Sequence, residues 1–487
     1  MGLGKLNPVK AAKKAASGLT RGIKSVGRTI DREITRPVTK LGVIDPIKYL
    51  TVDPIKAALS TVGGAMGLTG GTPSIPNLGG SGGSAPSLTN PEYQTPLDLT
   101  ASGLQTSLTT RGRTSTILSG APGFEEDECV LTGTAAALAG GFTTIAAQSD
   151  SSPVVDNRSA AEFVRLQADR AKQCRVFPLG AVTKQQRGEE LAEIGQLVQG
   201  GAVGFSDAKH PVANSEVMRR ALEYTRMFRR PVLHFAMVPE LADQGVMHEG
   251  FQSTRLGLRG IPAAAQDIMT GRDIALAELT GGRVHLMCVS TRDSVARIRQ
   301  ARAAGLGVSC DVSPHHLLMT DDVMERFDPL YKCLPPLRSR EHVDALIAGL
   351  RDGTISAISA DHQPRAQEKK QVELDQAPFG ICGLETALSI CVQALIRPGH
   401  LTWLQLIARL TKGPADVLGL PYGTLSPGQA ADITIIDPRA EWTVRASAFA
   451  SRSRNTPFDG QTLPAIVKSV LVDGVVRFGV TPVASVP

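Results

Sequence analysis

Nine histidines, seven cysteines and a few aspartates at the ends of apolar runs are the side chains of this chain best suited to bind a metal ion or move a proton. Their spacing limits what they can do. No His-x-His string occurs, and the one adjacent pair of imidazoles is His315-His316. The cysteines, at 129, 174, 288, 310, 333, 382 and 391, form no CxxC pair. Scattered in this way they read as reduced thiols, not as a disulfide framework. Asp207 follows Gly204-Phe205-Ser206, and Asp361 follows Ser359-Ala360 and precedes His362. An aspartate at the end of a strand either caps the next loop or helix or presents its carboxylate at the mouth of a barrel.

The elements that must position these groups alternate between strand and helix. Apolar β-type runs lie at 116–119, 142–147, 175–182, 202–206, 231–237, 283–290, 307–313 and 355–360. Stretches rich in Ala, Leu, Glu and Arg separate most of them, for example 215–228 and 292–304. This pattern predicts an α/β protein, a (β/α)8 TIM-type barrel over 113–420. Short strands and turns at 432–437, 467–472 and 475–478 predict a small C-terminal β unit over 421–487.

Upstream of the barrel the composition changes. Residues 62–112 are a Gly/Ser/Pro-rich linker that buries too little apolar surface to order itself. Residues 1–61 are a basic amphipathic segment. Val9, Ala12, Ala16, Leu19, Ile23, Val26, Ile30 and Ile34 recur at spacings of three or four, and Pro37 ends the helix they predict over 9–35. Residues 1–56 hold 12 Lys/Arg against 4 Asp/Glu, and the rest of the chain 40 against 42, so the net charge of +6 belongs to the N-terminal segment. That segment suits an anionic surface, or docks by its apolar face. The remainder has no overall attraction for nucleic acid. No run of about 18 apolar residues appears and the start lacks the apolar core of a secretory signal, so a cytoplasmic location is expected.

Several strings in order resemble the dihydroorotases of the amidohydrolase superfamily, in particular the bacterial zinc subgroup with an Asp as bridging ligand. They are Pro122-Gly123-Phe124-Glu125 with Gly133 to Thr144, Ser313-Pro314-His315-His316, Pro335-Pro336-Leu337-Arg338, Ser359-Ala360-Asp361-His362, and Pro378-Phe379-Gly380 to Glu385. Gly428 to Pro438 and Ser453 to Gly460 are similar to the family's C-terminal β unit. The resemblance covers roughly 114–480; residues 1–112 match nothing in it. It implies reversible ring closure of carbamoyl-aspartate to dihydroorotate. A metal-bound hydroxide attacks the ring amide and an aspartate at the end of the last strand moves the proton. Zinc makes hydroxide available by lowering the pKa of its water from about 15.7 to about 7.

Carried over residue by residue, the resemblance leaves this ligand set badly incomplete. Thr116 and Leu118 stand at the two His-x-His positions, and Gly120 where a substrate-binding Arg belongs. Phe235 stands at the next His position; His234 is one residue early, and a one-residue shift in a strand points a side chain to the other face. Cys288 replaces the fourth His, and His285, three residues earlier, is expected on the opposite face. Asp207 matches the bridging ligand and Asp361 the catalytic aspartate. Leu334 replaces an Asn, and Arg365 replaces a His where it can still attract a substrate carboxylate.

The resulting expectation is a degenerate, non-catalytic paralogue that needs no cofactor and acts by contact. The partner the resemblance suggests is aspartate carbamoyltransferase, with self-association as the other option. The rival is an active cyclic amide hydrolase with a rebuilt zinc site on Cys288, Asp207 and Asp361, helped by His210 or His234. A third reading makes residues 1–56 a membrane-surface or virion-type segment fused to a barrel scaffold.

Overall fold

The computed structural model describes residues 108–111, 113–116 and 123–479. The basic helix read over 9–35, the rest of the 1–61 segment, most of the linker, Leu118 and Gly120 lie outside them. The strands, in chain order, are β1 (Leu108–Arg111), β2 (Arg113–Thr116), β3 (Phe142–Ala147), β4 (Arg175–Pro178), β5 (Val232–His234), β6 (Met247–His248), β7 (Gly260–Ile261), β8 (Val284–Leu286), β9 (Val308–Val312), β10 (Ala357–Ile358), β11 (Ile433–Thr443), β12 (Thr462–Val472) and β13 (Val475–Gly479).

Two parallel runs, β2-β3-β4 and β5-β8-β9-β10, form the barrel wall. Phe205 joins them with parallel bridges to Gly180 on one side and Val232 on the other. The run read over 202–206 is thus the fourth of eight staves of a (β/α)8 barrel, reduced to a single bridging residue. The main helices between staves are α1 (Val130–Ala139), α2 (Arg158–Ala171), α3 (Ser215–Met227), α4 (Ala264–Thr280), α5 (Arg292–Ala303) and α6 (Arg340–Asp352). Side-chain caps start two of them: Asn157 accepts from the Ala160 N–H, and Asn214 from the N–H groups of Glu216 and Val217.

Strand alternation sorts the core into two layers. Val232, Val284, Leu286, Val308, Cys310 and Val312 pack outward with helix residues such as Val217, Leu222, Val295 and Ile298. Ala146, Leu179, Leu233, Phe235, Met287 and Cys288 form a separate inner cluster. Burying each larger aliphatic side chain contributes about 1.5–3 kcal/mol, which is why the wall is robust to changes at its mouth.

Most strands end sooner than their apolar runs. The runs continue into loops that leave extended geometry at Ala208 (φ 52°), Cys288 (φ 51°) and Asp361 (φ 45°), all in the left-handed region. These bends aim the residues after the strands into the barrel mouth.

The small sheet has the order β1-β11-β12-β13, antiparallel throughout. Leu108 pairs with Ile436 and Arg111 with Ile433. This corrects one expectation: 108–111, inside the stretch read as linker, is a strand, and it joins the β unit read over 421–487. The sequence Leu-Thr-Thr-Arg is too short to announce itself; the edge of β11 supplies its hydrogen-bond partners. Among the described residues no helix is long and apolar enough to cross a membrane.

Candidate active site

The loops after β5, β8 and β10 bring three side chains together around one cation from the loop after Phe205, and the cation is an amino group. Lys209 Nζ lies 3.1 Å from Asp361 Oδ1 and donates to Cys288 Sγ at 3.2 Å and to the Leu334 carbonyl at 2.9 Å. It also sits 4.7 Å from the centre of the Phe235 ring, in cation–π range. The Lys209 side chain is one-fifth exposed, whereas Asp361, Cys288 and Phe235 are buried. Asp361 completes its set with hydrogen bonds from Ser313 Oγ at 3.1 Å and Gln363 Nε2 at 2.8 Å.

The electrostatics are those of a buried ion pair. Burial works against the Lys209 ammonium, but the Asp361 carboxylate and Cys288 outweigh it and hold the amine above the usual lysine range. Burial likewise pushes Asp361 up, and Lys209, His315 and Gln363 reverse this, bringing its pKa down to about 2. Burial raises the Cys288 thiol well above its ordinary value, with the neighbouring Asp361 charge adding to the rise. Cys288 is therefore a neutral thiol at physiological pH.

Asp207 is not part of this group. Its carboxylate accepts from the N–H groups of Val182 (2.7 Å) and Thr183 (3.1 Å) and from the Thr183 hydroxyl, fixing the loop after β4. Burial raises its pKa despite those donors. His234 points into the helical layer: Nε2 accepts from the Val212 N–H at 3.0 Å, and Nδ1 meets Asp273 of α4 at 2.6 Å. His210 is exposed. Arg365 donates to the Phe379 carbonyl at 3.0 Å and lies 3.6 Å from Asp127, so its guanidinium serves the framework. Thr116 ends β2.

One expectation from strand alternation fails. His285 was placed on the face opposite Cys288, yet its neighbours Val284 and Leu286 pack outward and turn it inward, with Nε2 2.9 Å from Asp311 Oδ2, while Cys288 joins Met287 in the inner cluster. The positive φ of Cys288 resets the alternation one residue after Met287.

A binuclear zinc centre does not fit these residues. Of the two candidate carboxylates, Asp207 is saturated by loop donors and Asp361 is paired with an ammonium. The thiol donor Cys288 faces that ammonium, and the Phe235 ring covers it. A resident +1 charge at hydrogen-bond distance from both Asp361 and Cys288 repels an incoming dication. Sequence reasoning missed Lys209. Its signal was a matter of charge: a buried aspartate at a barrel mouth needs a cation beside it, and Lys209 stands two residues beyond Asp207.

A family model described as dihydro-orotase-like matches residues 116–294. A dihydroorotase of Pelotomaculum thermopropionicum is 48% identical over 353 residues, covering 72% of this chain and 82% of that protein. One of Solibacter usitatus is 45% identical over 353 residues, with the same coverage. Among solved structures, an L-hydantoinase (dihydropyrimidinase) from Arthrobacter aurescens superposes with a TM-score of 0.69 at 23% identity, over 77% of this chain and 86% of that one. A dihydropyrimidinase from Brevibacillus agri gives 0.64 at 22%, over 77% and 85%. Likeness at that identity speaks for the barrel fold alone.

Proposed function

Since this chain belongs to the dihydroorotase family, we propose that it is a non-catalytic member that works through protein contacts, with aspartate carbamoyltransferase as its partner in pyrimidine biosynthesis. The observation that carries the reading is the Lys209 ammonium held by Asp361 and Cys288. A hydrolase of this kind needs a hydroxide at neutral pH, and a dication to make it. An ammonium supplies charge for Asp361 but has no vacant coordination site at which a water can lose a proton. Asp361, held down to about 2 and bonded to Lys209, is a weak base for moving a proton at neutral pH.

The wall and core that make the fold are intact while the mouth is rebuilt, which suits a protein retained for its surface. Turnover of dihydroorotate and of carbamoyl-aspartate by the purified full chain, with and without added zinc, is the deciding measurement. Turnover at the buffer background is expected; a rate above it that is lost in an Asp361→Asn variant sinks the non-catalytic reading and restores the rebuilt-site hydrolase. Sedimentation of the chain alone and with aspartate carbamoyltransferase at micromolar concentration tests the contact. If neither a mixed complex nor a self-complex forms, that half of the proposal fails.

A further inference from the structure

A second group of donors lies next to the mouth. His315 and His316 open the turn after β9, and Cys333 lies in the segment leading to Pro335. One ring nitrogen from each histidine and the Cys333 sulfur lie within 4.8 Å of one another, and all three side chains are about 98% buried. Among the described residues no other three His, Cys, Asp or Glu side chains converge in this way. Two of the buried nitrogens, His315 Nε2 and His316 Nδ1, have no hydrogen-bond partner. Leaving a buried polar atom unsatisfied costs about 1–3 kcal/mol, so two in adjacent residues call for an explanation.

The protonation pattern supplies one. His316 Nε2 lies 3.0 Å from the Pro335 carbonyl, which can only accept, so Nε2 carries the proton and Nδ1 keeps its lone pair. Fixing one ring nitrogen on a carbonyl is how metal-binding imidazoles are oriented. Burial works against protonation of both rings and lowers their pKa values. His315 Nε2 lies 3.8 Å from Asp361 Oδ2, whose carboxylate is already paired with Lys209.

We propose that His315, His316 and Cys333 hold one thiophilic d10 metal ion, copper(I) in preference to zinc. On binding, Cys333 releases its thiol proton to solvent and the thiolate becomes the third donor. Copper(I) with one thiolate adds no net charge to the interior. Zinc with one thiolate adds a full positive charge beside a Lys209–Asp361 pair that is already neutral, and unpaired buried charge is strongly unfavourable. The soft thiolate and two imidazoles suit both ions. Bonds of about 2.0–2.3 Å need donors roughly 3.3–3.8 Å apart, so the side chains must close in by about 1 Å. The ion would tie the turn after β9 to the segment before Pro335. This site does not depend on the non-catalytic reading: its failure leaves the turnover assay untouched, and the reverse holds.

The test uses the purified full chain, stripped of metal. Copper(I) is titrated in competition with bicinchoninate under anaerobic reducing conditions, and zinc in a parallel arm with a chromogenic chelator. One ion per chain is expected, together with a rise in the unfolding temperature. Cys333→Val keeps the volume and should fold like the parent while weakening binding by more than about 100-fold, beyond what loss of an outer hydrogen-bond partner costs. His316→Gln should do the same, and Cys288→Ser should leave binding unchanged. Absence of one-to-one binding of either ion overturns the proposal, as does binding that survives Cys333→Val or is lost in Cys288→Ser.

Discussion

Asp361 and His362 are neighbours in sequence, yet they belong to polar clusters built on different principles. His362 Nε2 lies 3.4 Å from Glu128, a fully buried carboxylate. Glu128 is also held by the hydroxyls of Thr132 and Ser451 and by the N–H groups of Cys129 and Arg452. Burial raises its pKa, and His362 with the two hydroxyls more than reverses this, leaving it below the ordinary value. Those donors come from fixed backbone and side chains drawn from three parts of the chain. Asp361 instead meets one long amine on a mouth loop. In the framework the fold itself solves the buried charge, so no single replacement can change the solution without opening the joint. At the mouth a single side chain supplies the counter-charge, with Ser313 and Gln363 adding neutral hydrogen bonds, and the wall below remains unaffected.

The largest test of this contrast is Lys209→Met. It leaves Asp361 buried and unpaired, and should cost about 3–5 kcal/mol in urea denaturation. Adding Asp361→Asn in that background should recover most of the loss. A cost under about 1 kcal/mol, with no coupling between the two changes, would erase the distinction.

Glu128→Gln comes next, at about 1–3 kcal/mol, because several donors lose a charged acceptor at once. That loss should add to the Lys209→Met loss within about 0.5 kcal/mol, since the two clusters use different partners. Strong coupling between them would merge the clusters into one network.

A smaller effect follows from pH. Asp361 is depressed from 3.8 to about 2 in the folded chain, so its contribution to stability is present above about pH 4 and is lost as pH falls towards 2. Glu128 is depressed as well and contributes with the same sign. Denaturation midpoints measured between pH 5 and pH 2 should fall less steeply in the Lys209→Met, Asp361→Asn double variant than in the parent. An unchanged slope would show that Glu128 and other carboxylates account for the whole acid effect.

The smallest expected change is Arg365→Ala. Its guanidinium is one-third exposed and bonded to Phe379 and Asp127, so about 1 kcal/mol or less of stability should be lost. Calorimetry should find carbamoyl-aspartate binding no weaker than in the parent. A clear loss of affinity would return Arg365 to the substrate-binding role its position suggested.

Much of the fold was legible in the chain. Seven of the eight apolar runs mark staves, while the first, read over 116–119, meets β2 only at Thr116 and otherwise lies outside the described residues; helices α3 and α5 lie where the Ala/Leu/Arg stretches predicted them. His234 faces α4, as its one-residue offset implied. The pattern was less informative where structure depends on a distant partner. Residues 202–206 form bridges only through Phe205, and 108–111 are a strand only because β11 offers an edge. The period-two rule failed at Cys288, where a left-handed residue resets it.

Covalent composition alone fixes which side chains exist to do chemistry. The absence of imidazoles at positions 116, 118 and 235 is a covalent fact that no folding can repair. Only the tertiary structure decided where the remaining groups point: that Asp207 closes a loop, that Lys209 reaches Asp361 across the mouth, and that His315, His316 and Cys333 converge. Periodicity reports the face of one element, whereas these meetings join residues far apart in the chain and depend on bends after the strands that local pattern does not encode.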